Sequence, residues 1–286
     1  MQKKQYLKNL VQLNFAVLII STSGTLGRSI DLSVPMIIFL RAFIGGFFLY
    51  IFCKWKKLSF KINIKDYKTI FFSGILMGMH WITYFISLKL SSVAIGMLSV
   101  FTYPIITSFL EPIMLNSKFK KSNLLLGLMV LIGIYFLAPE ISMNNDQFIA
   151  VGFGIFSALC YSIRNIYMKA KSSEYEGSIL MLYQLIIVSI MLSPVFYFYN
   201  VNALGASLPA ILILALLTTA IGHTLFVYSF RNFSISAASI ISGVQPIYGI
   251  IIGMIVLGEY PGVRTIIGGS VILGTVLIES VKSFKE

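Results

Sequence analysis

Charge is scarce in this sequence. Only 11% of its 286 residues are Asp, Glu, Lys or Arg, against about a quarter in a soluble domain, and 57% are hydrophobic. A water-soluble surface cannot be clothed at that density. Cysteine is nearly missing too. Cys53 and Cys160 each sit in an apolar stretch with no CxxC pair or neighbouring histidine, which excludes a disulfide framework and a zinc site. Two histidines, His80 and His223, are too few for a multi-histidine metal centre. Acidic residues number 10 against 22 basic ones, a net charge of +12. No HExxH, GxSxG or Walker A segment is present, so zinc peptidase, nucleophile-elbow and ATP-hydrolysing chemistry lack their residues. No cofactor is expected.

Long apolar runs fill the chain instead. Bounded by charges, Gly, Pro and Asn, they predict ten helices at 9–26, 35–53, 67–88, 93–115, 123–137, 148–168, 178–199, 208–229, 235–257 and 263–280. A membrane helix needs roughly 20 such residues, and ten of them leave no room for a soluble domain. Continuous runs rather than short alternating segments favour helices over a barrel. The basic start and first apolar run resemble a signal peptide, but Gln12, Asn14 and the lack of a small-x-small cleavage site predict a retained first helix.

The excess of basic residues could suit nucleic acid or an anionic surface, but the apolar runs decide against nucleic acid and make it a topology signal. With the N-terminus inside, most lysines and arginines gather on the inner side. The outer side keeps Arg28, Lys89 and Arg264, and only Arg41 and Arg164 remain within spans. Basic loops stay cytoplasmic, so both termini are expected in the cytoplasm. The halves also repeat. An offset of 142 pairs Pro104 with Pro246, Lys89 with Arg231, Ser87 with Ser229, Ser92 with Ser234 and Gly127 with Gly269. Five helices per copy is odd, so the second copy enters the membrane upside down. The expected fold class is an all-α integral membrane protein of ten transmembrane helices in two inverted five-helix repeats, 1–141 and 142–286.

The segments IIFLRAFIGG, SSVAIGMLSVFTYPI, ASIISGVQPIYGIIIGMIVLGEY and GGSVILGTVLI resemble the EamA family of the drug/metabolite transporter superfamily, over nearly the whole chain. The resemblance implies a ten-helix bundle with a central cavity in a bacterial cytoplasmic membrane, moving small metabolites, amino acids prominent among them. The family's Gly-Glu is present as Gly258 and Glu259, but the first half has Asn116 and Ser117 there. A symmetric pair of carboxylates is therefore missing.

Polar residues inside spans mark function. His80 and Tyr84 share a face of the third helix, beside Trp81, as Ser157 and Tyr161 do on the sixth. Tyr103, Pro104, Gln245, Pro246 and Tyr248 fall near the midplane, where a mid-helix proline frees a carbonyl. The expected substrate site is His80, Trp81, Tyr84, Tyr103, Tyr161, His223, Gln245 and Tyr248; ordinary aromatic packing is the alternative for each. Arg41 reads either as a structural partner of carbonyls or as an anion-attracting gate. Glu111 reads either as a partner of Arg164 or of Lys118, Lys120 and Lys121, or as a proton-coupling carboxylate, and Arg164 joins Arg41 and Glu111 as a candidate for coupling or gating. Gly249 and Gly253 form a GxxxG pair suited to close packing within the chain or to a dimer face.

These features predict a secondary transporter, an exporter of small amphipathic metabolites by alternating access, with an importer or exchanger as the alternative. A membrane-embedded enzyme lacks paired catalytic groups, and a channel leaves the repeat unexplained. The expected partners are a small-molecule substrate and the lipid bilayer; monomer and homodimer stay open.

Overall fold

Each apolar run closes its backbone hydrogen bonds on itself, as an apolar surrounding demands. The computed structural model of the protein describes residues 2–115, 122–137, 142, 144–199, 204–233, 235, 238 and 241–285, and among them there is no strand. The helices are α1 (Gln2–Ser29), α2 (Val34–Trp55), α3 (Tyr67–Leu90), α4 (Val93–Val100), α5 (Tyr103–Leu115), α6 (Ser122–Leu137) and α7 (Asp146–Lys171). They continue as α8 (Gly177–Leu192), α9 (Val195–Phe198), α10 (Leu204–Ile213), a π-helical stretch (Leu214–His223), α11 (Thr224–Ser229), α12 (Gln245–Leu257) and α13 (Val263–Lys285). Among the described residues seven helical stretches are long and apolar enough to cross a membrane, and three shorter apolar helices accompany them.

Local chemistry sets the ends. The Asn145 side chain accepts from the Gln147 and Phe148 amides at the start of α7, and Lys169 and Lys171 lie in its last turn, each complementing the helix dipole. Gly258 ends α12 at φ 67°, a left-handed cap that costs a glycine nothing.

Several expected boundaries move. The run 93–115 is two helices, broken at Phe101 and Thr102, and 178–199 breaks at Ser193 and Pro194. The mid-helix prolines are corrected as well: Pro104 and Pro246 are each the second residue of a helix, α5 and α12. A proline there forfeits only an amide with no helical partner; a turn at Phe101 and Thr102 precedes α5, and a 3-10 turn at Ser242–Val244 leads into α12. The first helix starts at Gln2 rather than at residue 9, and the last runs to Lys285.

The packing is inside out relative to a soluble protein. Phe43 is 57% exposed, Leu131 63% and Ile255 78%, while Arg41, His80, Arg164, Gln184 and His223 are buried. So large an apolar exterior belongs against lipid. The most extensive helix pair is α3 with α7; α1 packs on α12 and the π-helical stretch, α2 on α8, and α6 on α13. A side chain at Gly249 would strike the Met97 thioether, and one at Gly253 would press on Val93. The GxxxG pair is thus used inside the chain, letting α12 approach α4.

Candidate functional site: a cavity between the halves

Tyr103, after the turn at Phe101 and Thr102, and Gln245, after the 3-10 turn at Ser242–Val244, both lie at the wall of a central cavity. Its lining comes from Ile20 and Ser23 on α1, His80, Trp81 and Tyr84 on α3, Met97, Val100, Phe101 and Tyr103 around the α4–α5 break, Tyr161 on α7, His223 and Gln245. Seven of the eight residues expected at the site meet here. Tyr248 does not; it is half-buried against the core beside them. The cavity volume is ≈ 30 Å³, room for water and not for a metabolite, so this conformation is closed around its centre.

His80 Nδ1 lies 2.7 Å from Ser157 Oγ and 3.2 Å from the Ser157 carbonyl, while Ser157 Oγ donates to the His80 carbonyl at 2.8 Å. A carbonyl only accepts and the serine hydrogen is already used, so Nδ1 is the donor. The ring stacks on Tyr161 at 4.4 Å and Tyr84 at 6.1 Å. Tyr161 meets Tyr103 edge-on at 5.0 Å, and Tyr103 Oη shares a 2.6 Å hydrogen bond with Ser242 Oγ. His223 lies edge-on to Trp81 at 5.4 Å. The buried Tyr84 Oη and His223 Nδ1 have no hydrogen-bond partner among the described residues. A buried polar atom left unpaired costs about 1–3 kcal/mol, which a bound solute can offset.

Arg41 stands behind this wall, fully buried, its guanidinium 4.0 Å from the Trp81 ring centre. It donates to Thr219 Oγ1 at 3.0 Å and Thr218 Oγ1 at 3.2 Å, with Ser23 Oγ at 3.5 Å. Both threonines give their own hydrogen to the Leu214 carbonyl. That competition with the backbone ladder accompanies the π-helical winding and turns both oxygens to Arg41. Sequence reasoning missed the threonines; the only available signal was an adjacent Thr pair in an apolar run. Arg164 is also fully buried, held by Gln184 Oε1 at 2.6 and 2.8 Å and Asn165 Oδ1 at 2.9 Å. The expected pairing of Arg164 with Glu111 is therefore replaced by neutral amides, and among the described residues Glu111 acts on the charge of Lys169. Lys118, Lys120 and Lys121, its other expected partners, lie outside the described residues, as do Asn116, Ser117 and Ser234.

Polar clasps close both ends of the bundle. At one end Arg28 pairs with Glu259 at 2.7 Å and donates to the Leu88 and Lys89 carbonyls, while Lys89 donates to the Ile30 carbonyl and Glu259 accepts from the Val93 amide. At the other end of α3, Asp66 pairs with Lys171 at 2.7 Å and accepts from Tyr175 Oη at 2.6 Å. That bond pushes the Tyr175 phenol above its usual range. Nearby, Arg231 donates to the Ser172 carbonyl at 2.8 Å and pairs with Glu176, and Lys169 donates to the Phe230 and Phe233 carbonyls.

A larger groove of ≈ 590 Å³ runs between α2, α8 and the π-helical stretch, past Phe48, Phe52, Leu216 and Ile221. Thr224, whose buried Oγ1 also has no partner among the described residues, lines it, but the two histidines converge on the central cavity instead, which makes that cavity the candidate site.

Comparison with known proteins agrees with this architecture. The model of a family described as EamA-like transporters matches residues 10–138 and again 148–280. A protein described as an uncharacterized transporter from Archaeoglobus fulgidus is 27% identical over 197 residues, 68% of this chain and 70% of that protein. A crystal structure superposes with a TM-score of 0.72 at 13% identity, covering 97% of this chain and 98% of the other, a likeness of fold.

Proposed function

We propose, from the premise that this chain belongs to the EamA-like transporter family and is a multi-pass membrane transporter, that it moves small amphipathic metabolites by alternating access. Its two five-helix halves, inverted relative to one another, rock about the central cavity. The observation that carries this reading is the placing of repeat mates at opposite ends. Lys89 and Arg231 are 142 positions apart, and so are their carbonyl acceptors Ile30 and Ser172, yet one pair belongs to the Arg28–Glu259 clasp and the other lies by the Asp66–Lys171 clasp. Two related halves pointing in opposite directions produce that arrangement.

Each clasp ties a residue of the first half to one of the second, so releasing one end while keeping the other admits solute from one side only. In this reading the Asp66 end faces the cytoplasm of a bacterial cell, both termini lie there, and net movement is export, with amino acids as a substrate class. His80, Trp81, Tyr84, Tyr103, Tyr161, His223 and Gln245 contact the solute, with Tyr248 behind them. Proton coupling, where it operates, runs through His80 or His223.

The test compares metabolites in the medium of expressing and deletion cells, then counterflow of the enriched solute in proteoliposomes. Saturable counterflow, weakened by Tyr103→Ala with folded yield intact, is the expected result. Chemical conversion of the solute by the purified protein would replace the carrier with an enzyme.

A further inference from the structure

Arg41 and Arg164 are both 0% exposed, on two helices within the apolar bundle. A guanidinium withdrawn from water is costly and is ordinarily paired with a carboxylate. Among the described residues the ion pairs lie elsewhere, at Arg28, Lys171 and Arg231. Arg41 is held by the hydroxyls of Thr218, Thr219 and Ser23, and Arg164 by the amides of Gln184 and Asn165. These dipoles orient the two cations without neutralising them.

Both charges back onto the cavity. Arg41 lies against Trp81 and bonds Ser23, both lining residues, and the Arg164 guanidinium is 5.9 Å from the ring centre of Tyr161, another. Among the described residues the lining contains no carboxylate. An empty cavity therefore has two uncompensated positive charges behind two of its walls, an aromatic surface, and the unpartnered Tyr84 Oη and His223 Nδ1.

We propose that the solute is an organic anion, an aromatic or apolar body bearing one oxyanionic group, a carboxylate offsetting one of the two charges of Arg41 and Arg164 and a doubly ionised phosphate offsetting both. This rests on the transporter reading and narrows its substrate class from zwitterions to net anions. The arginines act across one layer of side chains, a separation at which a unit charge in a low-dielectric interior changes affinity by about tenfold or more. They are positioning residues, setting the potential in which the oxyanion binds.

The probes are 3-phenylpropanoate, phenyl phosphate, phenylalanine and phenethylamine, which share a phenyl body and differ in charge. The purified full-length protein with Trp55→Phe retains Trp81 as its sole tryptophan, since Trp55 is the only other one and is 72% exposed, away from the cavity. Trp81 fluorescence reports binding, and flux of the same compounds into proteoliposomes reports transport. An anion is expected to bind at least about tenfold more tightly than phenethylamine, with phenylalanine between; the better of the two anions identifies the oxyanion as carboxylate or phosphate. Arg41→Gln or Arg164→Gln should remove most of that preference, and Arg41→Lys should restore it. If the Gln variants do not fold, the charge series on the parent protein decides. Equal affinities, a preference for the amine or zwitterion, or no response to either anion overturns the proposal. Flux of phenylalanine or phenethylamine with exclusion of the anions refutes the anion and keeps the transporter; anion binding with no flux of any probe does the reverse.

Discussion

His80 and Ser157 exchange two hydrogen bonds, the imidazole Nδ1–H to the serine oxygen at 2.7 Å and the serine hydroxyl back to the His80 carbonyl at 2.8 Å. The pair ties α3 to α7 at the cavity and fixes which imidazole nitrogen carries the hydrogen. Ser157→Ala removes both bonds and leaves the ring only the 3.2 Å contact of Nδ1 with the backbone carbonyl of residue 157. Solute affinity should fall about five- to tenfold, with an unchanged elution profile of the purified protein; unchanged counterflow constants would show that the ring's orientation does not matter.

His223 is held differently, against Trp81 with its Nδ1 unpartnered. If protons drive the carrier, His223→Gln abolishes acceleration by a pH gradient while exchange of loaded solute persists, because exchange needs no net proton movement. Full gradient-driven uptake in both His223→Gln and His80→Gln would leave facilitated diffusion as the mechanism.

Gly249 allows α12 to pass the Met97 thioether at the cavity wall. Gly249→Val should push Met97 inward and cost about 1–3 kcal/mol by overpacking, read as a lower unfolding temperature and lost transport. Gly205→Ala, with nothing nearby for a methyl group to meet, should change neither. A Gly249→Val protein of parental stability and activity would show that the close approach is not required.

Much of this architecture was legible because lipid imposes simple rules. Runs of apolar residues announce helices, and polar residues within them, such as His80 and Gln245, stand out because each must find a partner or a cavity. The breaks were less legible: Pro104 and Pro246 read equally well as kinks inside a helix or as second residues of a new one, and only packing of the preceding turns decides. Nothing in the run 208–229 signals π-helical winding, since it arises when Thr218 and Thr219 share the Leu214 carbonyl and meet Arg41 from a distant helix. The Arg164 partner expected for Glu111 failed for a related reason. The sequence suggested Arg164, which Gln184 and Asn165 hold instead, whereas tertiary packing also brings Glu111 near Lys169.

The two clasps make separable predictions. Glu259→Gln removes the charge that Arg28 meets at one end, and Asp66→Asn removes the partner of Lys171 at the other. Each should favour opening at its own end and slow turnover, by severalfold, at saturating solute. Parental turnover in both variants would mean that the clasps do not gate.

The central claim is that one cavity is reached from each side in turn, and thiol labelling at Gln245 tests it most directly. Cys53 and Cys160 are buried and free, so replacing both with Ala gives a background for Gln245→Cys in sealed vesicles of known orientation. A membrane-impermeant maleimide should reach that cysteine from either side, with Glu259→Gln raising labelling from the Glu259 side and Asp66→Asn raising it from the opposite side. Labelling from a single side in all three proteins would contradict alternating access about this cavity.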